Sequence, residues 1–168
     1  SLYAATIAAA GFLFNSPVEI AEGLLAIVQS PSILLTDYFI VGNIGAALLN
    51  SGFLMIAAIY LASKNKSLMY GPIIAAIFTI GGFALFGKNI YNTISIVLGV
   101  YLYSKINKDH FSKYIIIAFF GTALAPLVSQ ISFGFDLDPI VGIISGNLFG
   151  VGTGLLLPPL ASSFVRFH

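Results

Sequence analysis

The sequence predicts an all-α, polytopic membrane protein built partly from interrupted helices. Of its 168 residues 58% are hydrophobic and 8% charged, and the mean hydropathy is +1.01. A soluble domain carries about 25% charged residues, so this chain cannot cover itself against water. Its apolar residues fall in long unbroken runs rather than alternating ten-residue strands, which makes the class helical and not a barrel. The third observation is the stretch Gly71–Lys105, apolar almost throughout but broken by Phe86-Gly87-Lys88-Asn89-Ile90-Tyr91-Asn92. As helices its arms, 72–86 and 93–103, would measure about 22 Å and about 16 Å, whereas a bilayer core of about 30 Å needs about 20 residues. A helical hairpin that enters and turns back fits that arithmetic, with Lys88 at its tip; two short full crossings satisfy the flanking charges equally. Interrupted segments at membrane depth ordinarily line a cavity or site, because bare backbone is not tolerated against lipid.

In chain order, Leu2–Phe14 reads as a transmembrane helix. Ser16-Pro17-Val18-Glu19 is a helix start: a Ser cap, Pro at the first helical position, and Glu completing a capping box. The helix it opens, 17–29, is about 20 Å long and too short to cross, so it is expected to lie in the interface or dip into it. Ser30-Pro31 repeats the start signal and Thr36-Asp37 offers another cap. Tyr38–Ala62 is long enough to cross, and Asn43, Ala46 and Asn50 recur in it at helical spacing as a small, polar stripe that should face protein. After the broken stretch, Tyr114–Ile131 is the next span. Phe135-Asp136-Leu137-Asp138-Pro139 is an acidic turn, and Ile140–Leu157 is the last crossing before Pro158-Pro159, which should end or kink it. Gly142, Gly146, Gly150 and Gly154 recur every fourth residue there, a small-xxx-small face that lets another backbone approach closely. The expected architecture is thus four full crossings, a half-inserted helix and a hairpin or broken pair.

Lysine bias sets an expected orientation. Lys64, Lys66, Lys105, Lys108, Lys113 and Arg166 lie in three connections placed in the cytoplasm of a plasma-membrane protein. Glu19, Glu22, Asp37, Asp136 and Asp138 lie in connections placed outside. The start on Ser1, inside an apolar run, is what one half of a longer, repeat-built protein would show, with 1–168 forming a single transmembrane domain.

Lys88 is the sharpest functional candidate, because an ammonium near the bilayer midplane costs several kcal/mol and is usually kept for function. Its ordinary alternative is a loop lysine at the outer surface with Tyr91 as an interfacial anchor. Asn89 and Asn92 could offer amides to a solute, or serve as turn and cap residues. Asn43 and Asn50 are pathway candidates or helix glue, and Asn147 is a weaker one of the same kind. His110 and His168 sit beside basic residues at segment ends and read as interfacial, not as a metal pair. Cysteine is absent. There is no phosphate loop, HExxH or GxSxG, so no enzyme, cofactor or metal is expected. No basic face speaks for nucleic acid. The expected partners are the lipid bilayer, a small solute, and either a second half of the same chain or a homo-oligomer. A small-solute transporter or channel is the expected function, and a non-transporting scaffold with glycine-mediated packing is the alternative.

At FNSPVEIAEGLLAIVQSP, TDYF, FALFGKNIYN and LLLPPLASSF the chain resembles an uncharacterised family of bacterial multipass membrane proteins, classified only as a domain of unknown function. That resemblance implies a natural protein about twice as long and carries no activity. More loosely, Asn15-Ser16-Pro17, Ser30-Pro31 and Leu157-Pro158-Pro159 with Phe164 are similar to the urea-transporter pattern of channel-like inverted repeats. The match departs at Ser162-Ser163, where a proline is expected, and no urea-site residue is carried over.

Overall fold

The computed structural model describes residues 2–33, 35–67 and 69–166, with side chains as far as Ser163. His168 lies outside the described residues. Among them every regular element is helical: α1 Leu2–Ala10, α2 Pro17–Gln29, α3 Tyr38–Val41, α4 Ile44–Lys64, α5 Gly71–Phe83, α6 Ile90–Ile106, α7 Ile115–Gly121, α8 Ala125–Phe133 and α9 Pro139–Arg166. Three stretches are long and apolar enough to cross a membrane: Ile44–Lys64, Ile115–Phe133 and Pro139–Ser163. Leu2–Leu13 and Pro17–Gln29 together meet the same measure but are bent by 112°. The chain is a helical membrane protein.

The first bend follows from local chemistry. Ser16 accepts from the Glu19 N–H while Glu19 Oε2 accepts from the Ser16 N–H at 2.7 Å, so α2 starts afresh rather than continuing α1. Around this corner Gly11 and Gly45 lie so close that a side chain on either would strike the other's carbonyl. The expected span from Tyr38 is split: Asn43 is extended, and its Oδ1 caps α4 by accepting from the Ala46 N–H at 2.8 Å. An asparagine that can satisfy a free helix N–H wins over helix continuation there. Asn43 therefore does not share a helical face with Ala46 and Asn50, which α4 does bury. The span from Ile115 is also stepped, with a 3₁₀ turn at Thr122–Leu124 between α7 and α8. Pro126 explains the step: it has no N–H to give the Thr122 carbonyl, and its ring crowds that carbonyl. The last helix does not end at Pro158-Pro159 but runs on to Arg166. Two adjacent prolines remove two neighbouring hydrogen bonds, yet each already holds a helical φ.

The elements pack as a bundle with α6 at its centre, most extensively against α9, while α4 lies between α1 and α5. Leu54 and Met55 of α4, Ile73, Ile77 and Ile80 of α5, Val100 of α6 and Ile115 and Phe119 of α7 form the largest buried apolar cluster. Helix α9 crosses α6 backbone to backbone. A methyl group on Gly154 would collide with the Ile96 carbonyl, and one on Gly99 with the Val151 carbonyl. Gly142 and Gly146 face Ser132 and Val128 of α8, and Gly150 faces Ser95 of α6. The far side of α9 is bare, with Ile140, Ile144, Leu148 and Leu156 exposed. In a lipid environment that apolar face is at home.

Candidate functional site

Three interruptions of helix meet at one point. They are the connection from α2 to α3, the turn from α5 to α6, and the step between α7 and α8. The α5–α6 turn is pinned to the first of these by the Tyr38 N–H donating to the Leu85 carbonyl at 3.1 Å, an isolated bridge between Asp37 and Phe86. Gly87 turns with φ +74 directly against the Ile33 carbonyl and the Pro126 ring, a place where only glycine fits. Asn50 fixes the height of the turn, because its Nδ2 donates to the carbonyls of Ala84 and Lys88 at 2.7 and 2.8 Å. At 1.5 Å per residue, Asn50 stands about 9 Å from the N-terminal end of α4 and about 21 Å from Lys64 at the other. The turn is thus held inside the bundle, beside the body of α4 rather than at its end.

Lys88 at this turn is fully buried. Its Nζ donates to Thr122 Oγ1 at 2.9 Å and lies 5.2 Å from the centre of the Phe83 ring. Among the described residues the one ion pair is elsewhere, between Lys113 and Asp109 at 3.1 Å. There, in the loop before α7, the hydroxyl of Tyr114 and the Lys113 ammonium hold the Asp109 carboxyl below the usual carboxylate range. Lys88 has no such counter-charge. An enclosed ammonium with one hydroxyl and one ring face for company is costly to keep.

The asparagines around it are fully occupied by protein. Asn89 and Asn92 form a reciprocal cap, each side-chain oxygen accepting the other's N–H at 3.0 to 3.1 Å. The Asn89 amide nitrogen donates to the Ile27 carbonyl and the Tyr38 hydroxyl, and that of Asn92 to the Gly87 carbonyl and Ser129 Oγ. All their side-chain N–H groups are spent on fixing the turn. Asn43 lies apart from the other candidates, donating to the Glu19 carbonyl at 2.7 Å to tie α2 to α4. Asn147 of α9 donates to the Tyr91 hydroxyl at 3.0 Å and accepts from Ser95, which joins α9 to α6.

Beside the turn lies a trough of about 560 Å³ between α4 and α6, floored by α5 and α7. Leu54, Ile80, Val97 and Phe119 line it. One end is bounded by Lys64 and Asn65, the other by Thr93 and Thr122. Thr122 is the hydroxyl that receives Lys88, so the lysine stands immediately behind the head of the trough. Thr93 is 8% exposed, and its Oγ1 is enclosed without a hydrogen-bond partner among the described residues. Neither threonine stands out from its apolar run in the sequence. Pro126 was the available signal for Thr122, since it frees that residue from regular helix; nothing local marks Thr93.

A family model described as "Protein of unknown function (DUF1576)" matches residues 16–168. The chain belongs to that family. No curated protein and no solved structure matches it, and the likeness to urea transporters is not shown.

Proposed function

We propose that this member of the DUF1576 family forms part of a small-solute transporter or channel rather than an enzyme, with the pathway running along the α4–α6 trough to the turn at Lys88. The observation that carries the reading is an enclosed lysine without a carboxylate at the meeting point of three helix breaks, at the head of an open trough. Charged groups and broken helices at membrane depth mark solute paths, because each is costly unless a site requires it. With arms of 13 and 17 residues, about 20 and about 26 Å, α5 and α6 act as a re-entrant hairpin. Lys88 charges the head of the path from behind Thr122 and Asn50 holds its turn at depth, while Asn89 and Asn92 shape it. The lysine-rich connections around Lys64, Lys66, Lys105, Lys108 and Lys113 face the cytoplasm of the plasma membrane, in keeping with the positive-inside rule. The exposed rim residues Tyr60, Ile94 and Leu98 would then be covered by a second half of the chain or by a second copy. Flux into liposomes containing the full natural protein tests the reading. Uptake of at least one small solute above empty vesicles, reduced by Lys88→Met, is expected; no uptake across a broad panel of ions and small polar solutes would sink it.

The bare side of α9 favours a second reading, a non-transporting scaffold that binds a partner helix there. That reading requires Lys88→Met to leave cellular function intact, while a charged residue at Leu148 on the bare face destroys it.

A further inference from the structure

We infer that the head of the trough is a binding site for a monovalent anion, with the Thr93 hydroxyl as its donor and Lys88, held through Thr122, as its counter-charge. The inference rests on the transport reading and narrows its substrate class.

Thr93 is an exception among the buried helical hydroxyls of the described residues, the others each having a hydrogen-bond partner. Thr6 and Thr79 donate to the carbonyl four residues back, at 3.0 and 2.9 Å, and Thr122 and Ser104 to the one three back, at 2.6 and 2.7 Å. A threonine in a helix turns its O–H onto its own backbone when nothing else claims it. Thr93 has that option and leaves it unused, although its oxygen is shut away from solvent. A buried hydroxyl without a partner is costly, and a ligand acceptor at the head of the trough would relieve that cost. The same head is closed by Thr122, whose oxygen already accepts from the lysine and gives its proton to the Phe119 carbonyl. What remains for a ligand is therefore a donor from Thr93 and a positive field from one unpaired ammonium.

Those two features select the ligand's chemistry. A cation meets the field of Lys88 and finds no carboxylate. A neutral solute leaves that charge uncompensated. One lysine balances one negative charge, and apolar walls of Leu54, Ile80, Val97 and Phe119 disfavour strongly hydrated divalent anions. A monovalent anion meets all these conditions. Either a free ion such as nitrate or formate, or the carboxylate of an amphiphile whose tail lies along the trough, supplies that chemistry.

The test uses the full natural chain in neutral detergent at constant ionic strength, with the unfolding midpoint followed during titration. The probes are nitrate, formate, chloride and octanoate as sodium salts, with urea and tetramethylammonium as neutral and cationic controls. A saturable rise in midpoint with at least one anion and none with the controls is expected. Thr93→Val should weaken half-saturation about ten-fold, in line with one lost hydrogen bond, while Thr93→Ser should stay near wild type. Lys88→Met should abolish the response; should that variant not fold, the Thr93 pair decides. A response to octanoate with none to nitrate or formate supports the site and assigns it to an amphiphile. No saturable response to any anion, or a Thr93→Val curve that overlays wild type, overturns the inference. Anion binding without flux refutes the transport reading alone, whereas flux of neutral solutes without anion binding refutes this inference alone.

Discussion

Replacing Asn92 by alanine tests whether the buried turn is held by side-chain caps. Its oxygen accepts the Asn89 N–H at 3.0 Å, and its amide donates to the Gly87 carbonyl and to Ser129 Oγ, each at 2.9 Å. Alanine removes all three bonds at a site with no exposure to solvent. At about 0.6 kcal/mol for each bond, the average inside membrane bundles, the loss is about 2 kcal/mol. The Asn89 N–H and the Gly87 carbonyl are then stranded, and buried unpaired groups cost about 1–3 kcal/mol each. A destabilisation of about 3–5 kcal/mol follows, since some of that cost is relieved by local rearrangement. Reversible unfolding of the full natural protein in mixed micelles measures it, with the exposed Asn107→Ala as control. Ser129→Ala and the double variant complete a cycle whose coupling should be about 0.6–1 kcal/mol. An Asn92→Ala protein within 0.5 kcal/mol of wild type, a change of about the size common at plain surface sites, would refute the assignment of these contacts to the turn.

Other expectations are more direct. Gly99→Ala should loosen the α6–α9 crossing and cost about 2 kcal/mol or more, because the new methyl meets the Val151 carbonyl and the Gly154 backbone; Gly152→Ala, which meets nothing, should be near neutral by the same unfolding assay. A cysteine at position 88 should resist an impermeant thiol reagent from either side, and rapid labelling would place the turn in water. The capping box also titrates. Backbone and side-chain hydrogen bonds from Ser16 hold the Glu19 carboxyl below its ordinary value. Its contribution is therefore present above the unfolded carboxylate pKa and lost as pH falls through the lower folded value. Stability curves of wild type and Glu19→Gln should converge at the acidic end and separate above it.

How much of this was legible depended on whether a residue's partners are near in sequence. The start of α2 is written in Ser16-Pro17-Val18-Glu19, whose partners are three residues apart, and the helix runs from Pro17 to Gln29 as read. Length and hydropathy sufficed for three of the four expected crossings, because lipid tests each segment separately; the stretch Leu2–Leu13 meets the measure only together with α2, across a 112° bend. In sequence Asn43 reads as a member of a continuous helical stripe, since the same residue type caps helices and lines them, and only the position of α2 decides between the two. The neighbourhood of Lys88 draws on Ile33, Phe83, Asn50 and Thr122, and no local pattern brings these together. Thr93 was invisible for the same reason: its distinction is a partner it lacks, which is a property of three dimensions alone.

The turn at Lys88 also constrains the order in which the chain can be completed. Its fastenings come from segments made before it, at Ile27, Tyr38 and Asn50, and from segments made after it, at Thr122 and Ser129. During synthesis the α5–α6 pair therefore exists for a time with its ammonium and the Asn92 amide still seeking partners. The turn is fully fastened only once α7 and α8 have packed against it, so the later helices finish an element that the earlier ones began.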